Sequence, residues 1–298
     1  MIVNQIYQCL WQSLHFLFSL YKVCLWVRLR IIAFTLWSYD LCQTQAKRQQ
    51  KEFELLKKCK KQLNKIPKHL NLIIGPEAND VNEEVFTRLF TYALYMNIEC
   101  ISFFDTRSIC KSKSKSISLD KVKCPEGWRS KCLAERRALW YDLSKNVCNG
   151  SSQTNGHIPN SLNSCSKSAN GHTTLKSLNG ESKPLEIYQI AAKDNRPLIA
   201  QACRNLFRHK NTKEVQELIQ KRSELTDRLD KELAEELQNL SEPELSIVFS
   251  ETFSTFGTLP WHTRFTEFQC FPPGQRIDAE SFAYILYKYS RCEQRWGK

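Results

Sequence analysis

IPKHLNLIIGPEANDVNEEVFTRLFTYALYMNIECISFFD, residues 66–105, decides the fold. Leu70–Ile74 is short, mostly apolar and closed by Gly75-Pro76, the pattern of a strand buried on both faces. Val85, Leu89, Tyr92 and Ala93 then recur at helical spacing over Glu83–Met96. The stretch ends in IECISFFD, a second buried strand that stops at Asp105. Strand, helix and strand in direct succession make the βαβ unit of a parallel sheet, because parallel neighbours need a crossover that a helix supplies.

Downstream, LEIYQIA (185–191) and ELSIVF (244–249) read as further strands. Helices are expected near Pro197–Arg208, around Leu133–Leu143, and as one long charged segment over 212–240. Asp278 is a good N-cap for a last helix that sets Phe282, Ile285, Leu286 and Tyr289 on one face. Residues 146–183 are rich in Ser, Asn and Gly with almost no large apolar side chains, and read as a disordered insertion. The sum is an α/β domain over 66–298, a mostly parallel sheet flanked by helices. A basic juxtamembrane helix over 41–65 and a membrane-anchoring segment over 1–40 precede it.

The chain has 298 residues, 42% of them hydrophobic, and a formal net charge of +12. Such charge suits nucleic acid, an anionic membrane surface or a phosphorylated substrate. The basic residues crowd into Lys47–Lys68 while Glu214–Glu244 is rich in acids, so no basic stripe runs through the fold. With no zinc-finger, RNP or helix-turn-helix signature, nucleic acid is the weakest of the three. The 13 cysteines are irregularly spaced, with no CxxC, and Cys124 and Cys132 lack zinc-ligand spacing. Such a set fits buried thiols in a reducing compartment.

Residues 1–21 carry no charged side chain, and Lys22 is the first. Gln8, Gln12, His15, Ser19 and Lys22 nevertheless draw a polar stripe along one helical face. A basic n-region and a small-residue cleavage site are both missing, which argues against a cleaved signal peptide. Two readings remain open: an imperfect transmembrane helix, or an amphipathic helix lying in the interface. Trp11, Trp26 and Trp37 suit interfacial anchoring, and the basic flank predicts a cytoplasmic C-terminal side. Lys57–Lys61 would add attraction to anionic headgroups.

P-loop, GxGxxG, GxSxG and HExxH signatures are all missing. So are the paired aspartates that would hold magnesium for diphosphate chemistry. Of the 6 histidines only His262 sits in a suggestive context, LPWHTRFTEF (259–268). A lone histidine beside Trp261 with no acid partner reads as a packed residue rather than a base. Arg264 and Glu267 are expected to pair locally. By its residues alone the chain reads as a binding protein.

TFGTLPWHTRFTEF (255–268) and the final YKYSRCEQRWGK resemble the Nogo-B receptor family, accessory subunits of the eukaryotic dehydrodolichyl diphosphate synthase complex. IPKHLNLII followed by a βαβ unit resembles the opening of the wider cis-prenyltransferase fold, and the Trp-containing N-terminus resembles the family's membrane anchor. The likeness covers roughly 66–110 and 185–298, more loosely 1–40. Catalytic cis-prenyltransferases carry an Asp-Gly-Asn after the first strand, whose Asp binds magnesium and diphosphate. Here the matching stretch is GPEAN, with Pro76 at the Asp position. Their Arg-x-Ser ahead of the Trp is matched by Ser254 and Phe256. Proline cannot ligate a metal and phenylalanine cannot bind phosphate, so this chain supplies no metal ligand and should be inert alone.

The resemblance implies a role in trans. Arg295 and Gly297 would reach the site of a catalytic cis-prenyltransferase partner and help hold isopentenyl diphosphate and its Mg2+. A guanidinium matches phosphate oxygens in bidentate fashion, and a glycine N–H can approach them closely. Trp261, His262, Arg264, Glu267 and Trp296 are then interface candidates. The complex would add isopentenyl units to farnesyl diphosphate at the endoplasmic reticulum membrane, facing the cytosol, for dolichol synthesis and protein glycosylation. Two other readings stay open: a helix that merely ends at a C-cap glycine, and a membrane receptor or scaffold whose domain only binds proteins. Sequons at Asn149 and Asn239 would be modified in a lumenal receptor and bare in a cytosolic subunit.

Overall fold

A computed structural model of the chain describes residues 2–41, 44–109, 116–142 and 183–293. In chain order, helix α1 spans Ile2–Leu41, α2 Gln45–Gln62, strand β1 His69–Ile74, α3 Glu83–Met96 and β2 Cys100–Asp105. Then come β3 Trp128–Ala134, β4 Arg137–Asp142, β5 Leu185–Ile190, α4 Arg196–Arg208, α5 Lys213–Gln220 and α6 Arg222–Glu236. β6 Leu245–Phe249, β7 Glu267–Phe271 and α7 Ala279–Arg291 complete the set.

The strands form one 7-stranded sheet in the order β3-β4-β5-β2-β1-β6-β7. From β5 to β7 every pairing is parallel, and β3–β4–β5 adds an antiparallel edge. β1, β2 and β6 are buried at every residue, as strands covered by helices on both faces must be. Successive side chains point to opposite faces. Leu70, Leu72 and Ile74 therefore join one core with Leu56 of α2, Phe86 and Phe90 of α3, and Phe282 and Leu286 of α7. Phe104 and Tyr188 join the other with Leu198 of α4 and Leu229 and Leu233 of α6.

Local chemistry starts and stops the helices. Asn82 Oδ1 accepts from Val85 N at 2.9 Å to open α3, Glu83 and Glu84 favour its dipole, and Asn97 closes it in the left-handed conformation at φ 60°. Asp278 caps α7 as expected, accepting from Ser281 N at 2.9 Å while Ser281 Oγ accepts from Asp278 N at 3.0 Å.

Three expectations are corrected. The segment around Leu133–Leu143 is no helix: its described part lies in the β3–β4 hairpin, turning at Glu135-Arg136. Ala138 and Trp140 alternate inward there, and Trp140 packs edge-on against Phe90 at 5.5 Å. The single helix over 212–240 breaks at Lys221, whose backbone is extended. The transmembrane helix is not found. α1 is 40 residues long, yet no helix among the described residues is long and apolar enough to cross a membrane. Gln8, Gln12, His15 and Ser19 interrupt its apolar surface, and Lys22, Arg28 and Arg30 fall in its middle. The insertion expected over 146–183 lies outside the described residues, save Lys183.

Candidate functional site

In an open parallel sheet, ligands bind outside the carboxyl ends of the strands, where the winding reverses. From β1 the chain crosses to β2 on one side, and β6 later lies on the other, so the reversal falls between β1 and β6. Gly75, Pro76 and Glu77 follow β1 there. Gly75 N donates to Phe249 O at 2.8 Å, and a Cβ at Gly75 would stand 2.9 Å from that oxygen, so only glycine fits. Glu77 Oε1 accepts from Ser250 Oγ and, at 3.0 Å, from Glu251 N. Burial works to raise the Glu77 pKa, but these hydrogen bonds outweigh it and the net position is below the ordinary value. The reversal point therefore holds an ionised carboxylate already committed to its neighbours.

The end of β2 is closed in the same way. Arg107 grips the Asp105 carboxylate with Nε (2.9 Å) and Nη2 (2.8 Å), while Nη1 donates to Ala78 O and Val81 O, each at 2.9 Å. Ile117 N adds a 2.7 Å bond to Asp105 Oδ2. Asp105 and Arg107 are 5% and 3% exposed. The guanidinium is spent on pinning the loop after β1, with its charge neutralised. Magnesium is poorly served here: Pro76 has no side-chain ligand atom, both Asp105 carboxylate oxygens are engaged, and Glu77 Oε1 is engaged. Among the described residues no group of His, Cys, Asp and Glu could hold a metal ion.

The loop after β6 carries Ser254 and Phe256. Phe256, Gly257 and Leu259 all have positive φ (49°, 69° and 41°), a conformation that side chains other than hydrogen resist. Asn195 Oδ1 holds the loop by accepting from Leu259 N at 2.8 Å, and Leu259 is buried in the second core. Trp261 Nε1 donates to Asp230 of α6. Arg264 Nη2 lies 2.8 Å from Glu242 and 3.8 Å from Asp230, its guanidinium 5.7 Å from the Trp261 ring. His262 is 8% exposed and burial lowers its pKa, which suits a packed neutral imidazole. The space between His262, Trp261, Leu198 and Leu233 is about 10 Å³, room for about one water and no ligand.

Trp261, His262 and Arg264 are thus brought together, but Glu267 is not among them. It opens β7 and accepts from Cys292 Sγ at 3.3 Å, so the expected Arg264–Glu267 pair is replaced by Arg264–Glu242. Sequence reasoning missed β7 and the aromatic surface beside it. Phe253 is 61% and Phe265 48% exposed, and Phe253 stacks edge-on with Phe268 at 5.6 Å. The repeated Phe in 253–268 was the available signal.

Arg295, Trp296 and Gly297 lie outside the described residues. The helix before them ends at Arg291, and Cys292 continues in extended conformation. Lys65 Nζ donates to Cys292 O at 2.6 Å and lies 4.6 Å over the Tyr289 ring. Cys292 stands beside Glu267, which pairs with Leu245 at the amino end of the sheet. Pro76, Glu77 and Asp105 are at the carboxyl end.

No protein-family model matches the chain. It is 27% identical over 242 residues to the human dehydrodolichyl diphosphate synthase complex subunit NUS1, covering 79% of this chain and 68% of that one. The mouse subunit Nus1 is 26% identical over 239 residues, covering 79% and 67%. A probable undecaprenyl diphosphate synthase from Campylobacter jejuni superposes with a TM-score of 0.39 at 14% identity, covering 78% of this chain and 100% of that one. The chain is thus similar over most of its length to subunits of the dehydrodolichyl diphosphate synthase complex, in line with the resemblance to the Nogo-B receptor family.

Proposed function

We propose that this chain is the accessory subunit of a dehydrodolichyl diphosphate synthase, inactive alone and required by a catalytic cis-prenyltransferase partner. The observation that carries this reading is the closed carboxyl end of the sheet. Glu77 bonded to Ser250, and Arg107 bonded to Asp105, commit the carboxylates and the buried guanidinium at the ends of β1 and β2 to neighbours within the fold. The partner supplies the chemistry, extending farnesyl diphosphate by isopentenyl units, and its side chains and the diphosphates hold Mg2+.

Arg295 and Gly297 complete the partner's isopentenyl diphosphate site. The direction of α7 supports action in trans. It delivers the chain to the amino end of β7, whereas this chain's own reversal point is at the far end of the strands. From Cys292 to Arg295 the backbone spans at most about 11 Å. Six-residue strands such as β1 are roughly 20 Å long. The exposed Phe253 and Phe265, with the half-buried Phe268 against Phe253, suit an aromatic-rich contact with the partner. α1 suits an interfacial rather than a spanning position, its cations near anionic headgroups on the cytosolic face of the endoplasmic reticulum.

The test is incorporation of radiolabelled isopentenyl diphosphate by the chain co-purified with its catalytic partner, full-length against a form ending at Gln294. Fixed donors on a diphosphate act by positioning and charge stabilisation, so activity should fall on the order of a hundredfold while the complex still forms. Equal activities would leave a scaffold or receptor role.

A further inference from the structure

We infer that Lys65 is a positioning residue for the C-terminal segment, fixing where that segment leaves the fold and so where Arg295 can reach. The inference rests on the trans-acting role proposed above and names a residue outside the segment that the role needs.

Lys65 is itself held on a stiff arm. α2 packs Leu56 into the core against α3 and α7, and Cys59 Sγ reaches Ala283 O of α7 at 3.8 Å. Two residues after Lys65, Pro67 restricts its own backbone and that of Ile66 to extended conformations. Lys68 then locks into the sheet: its N–H donates to Glu244 Oε2 at 2.6 Å, and its carbonyl accepts from Glu99 N and Cys100 N, both at 3.0 Å. Between these fixed points the Lys65 ammonium lies on Tyr289 and donates to the carbonyl of Cys292.

Residue 292 is secured from its other side too. Its thiol donates to Glu267 Oε2 at 3.3 Å, and its N–H donates to Tyr289 O at 3.1 Å. The Glu267 carboxylate raises the thiol's pKa, keeping it protonated and a donor. The Tyr289 hydroxyl donates to Glu244 Oε2 at 3.4 Å, which joins the latch to the amino ends of β6 and β1. Since Arg295 is three residues further on, an anchored Cys292 limits the distance its backbone can reach to about 11 Å. Anchoring raises its effective concentration at the partner's site and leaves less ordering to be done on binding. A lysine at a helix C-terminus also stabilises the helix dipole. That role would affect stability with or without Arg295.

The experiment uses the purified complex with the catalytic partner. Lys65→Met keeps the aliphatic stem over Tyr289 and removes the donor; Lys65→Arg keeps a donor. Lys65→Met should raise KM for isopentenyl diphosphate about threefold to tenfold. KM for farnesyl diphosphate and the amount of complex should not change, and Lys65→Arg should restore most of the loss. In the form ending at Gln294, Lys65→Met should add nothing, because it acts through residues no longer present. An unchanged KM for isopentenyl diphosphate overturns the inference, as does an equal effect with and without residues 295–298. If truncation collapses activity and Lys65→Met is silent, the trans-acting segment survives and Lys65 does not. If truncation itself is silent, both fall.

Discussion

The two ends of the parallel sheet have been put to opposite uses. At the carboxyl end, where sheets of this kind open onto ligands, Glu77 is bonded to Ser250, and Asp105 to Arg107. At the amino end of the edge strand β7, the end of the last helix is latched at Cys292 by Lys65 and Glu267. The comparison teaches that a fold can keep its sheet while its reversal point becomes a structural lock. On the proposed reading the partner supplies the chemistry, and this chain adds to it from the opposite end.

The largest expected effect tests the lock. Asp105→Ala strands the Arg107 guanidinium in the interior without its counter-charge, which should cost about 3–5 kcal/mol of stability in urea unfolding. Replacing both partners, Asp105→Leu with Arg107→Met, should be much milder because no charge is left unpaired. Neither change should alter KM for isopentenyl diphosphate in the folded complex. A shifted KM without loss of stability would mean that the carboxyl end is a working site after all, and the contrast would collapse.

The amino end responds to pH instead. His69 opens β1 fully buried, Nε2 2.8 Å from Ser102 Oγ and Nδ1 2.7 Å from Ser241 O. Burial is the main cause that pushes its pKa down to about 4, with nearby His262 adding to it. Since the folded value lies below the ordinary value of about 6.5, the unfolded chain takes the proton first. Stability is complete above that ordinary value and is lost as pH falls from it towards 4, by about 3 kcal/mol. Urea midpoints between pH 7 and 4 read this directly, and His69→Gln should flatten the slope. An unchanged slope would assign the loss to other groups.

How much of this was legible follows from where each element's information lies. β1, β2, β5 and β6 announce themselves because burial makes them strongly apolar, and Asp278 announces the start of α7 through its capping chemistry. β7 does not. At the edge, with Glu267 and Gln269 half exposed, it is a strand because it pairs with β6. The β3–β4 hairpin turns at Glu135-Arg136, which carries no glycine, proline or asparagine signal, and its apolar residues fit a helical spacing equally well. Pro76, Ser254 and Phe256 are visible as departures once the family resemblance is drawn. What surrounds those positions is not, since the Arg107 bonds to Ala78 and Val81 and the Glu77 bond to Ser250 exist only in the folded chain. The same holds for Arg264, whose partner is Glu242 and not the nearer Glu267.

The smallest effect sharpens the other side of the comparison. If the closed end makes the chain dependent on a partner, some surface must be shaped to meet one. Among the described residues Phe253 and Phe265 are the large exposed apolar residues nearest the Trp261 cluster in sequence, and Phe253 meets Phe268 edge-on. Exposed aromatics contribute little to the stability of the chain that carries them, but dominate an interface once water is excluded. Phe253→Ser and Phe265→Ser should therefore leave the unfolding of the isolated chain nearly unchanged. Each should weaken the complex by about 1–2 kcal/mol, roughly tenfold in Kd measured by titration with the purified partner. Lost stability without lost affinity would make these rings a part of the fold and would move the contact to another face. Lost affinity alone would set the partner beside β7, next to the point where the latched end of α7 lets the chain go.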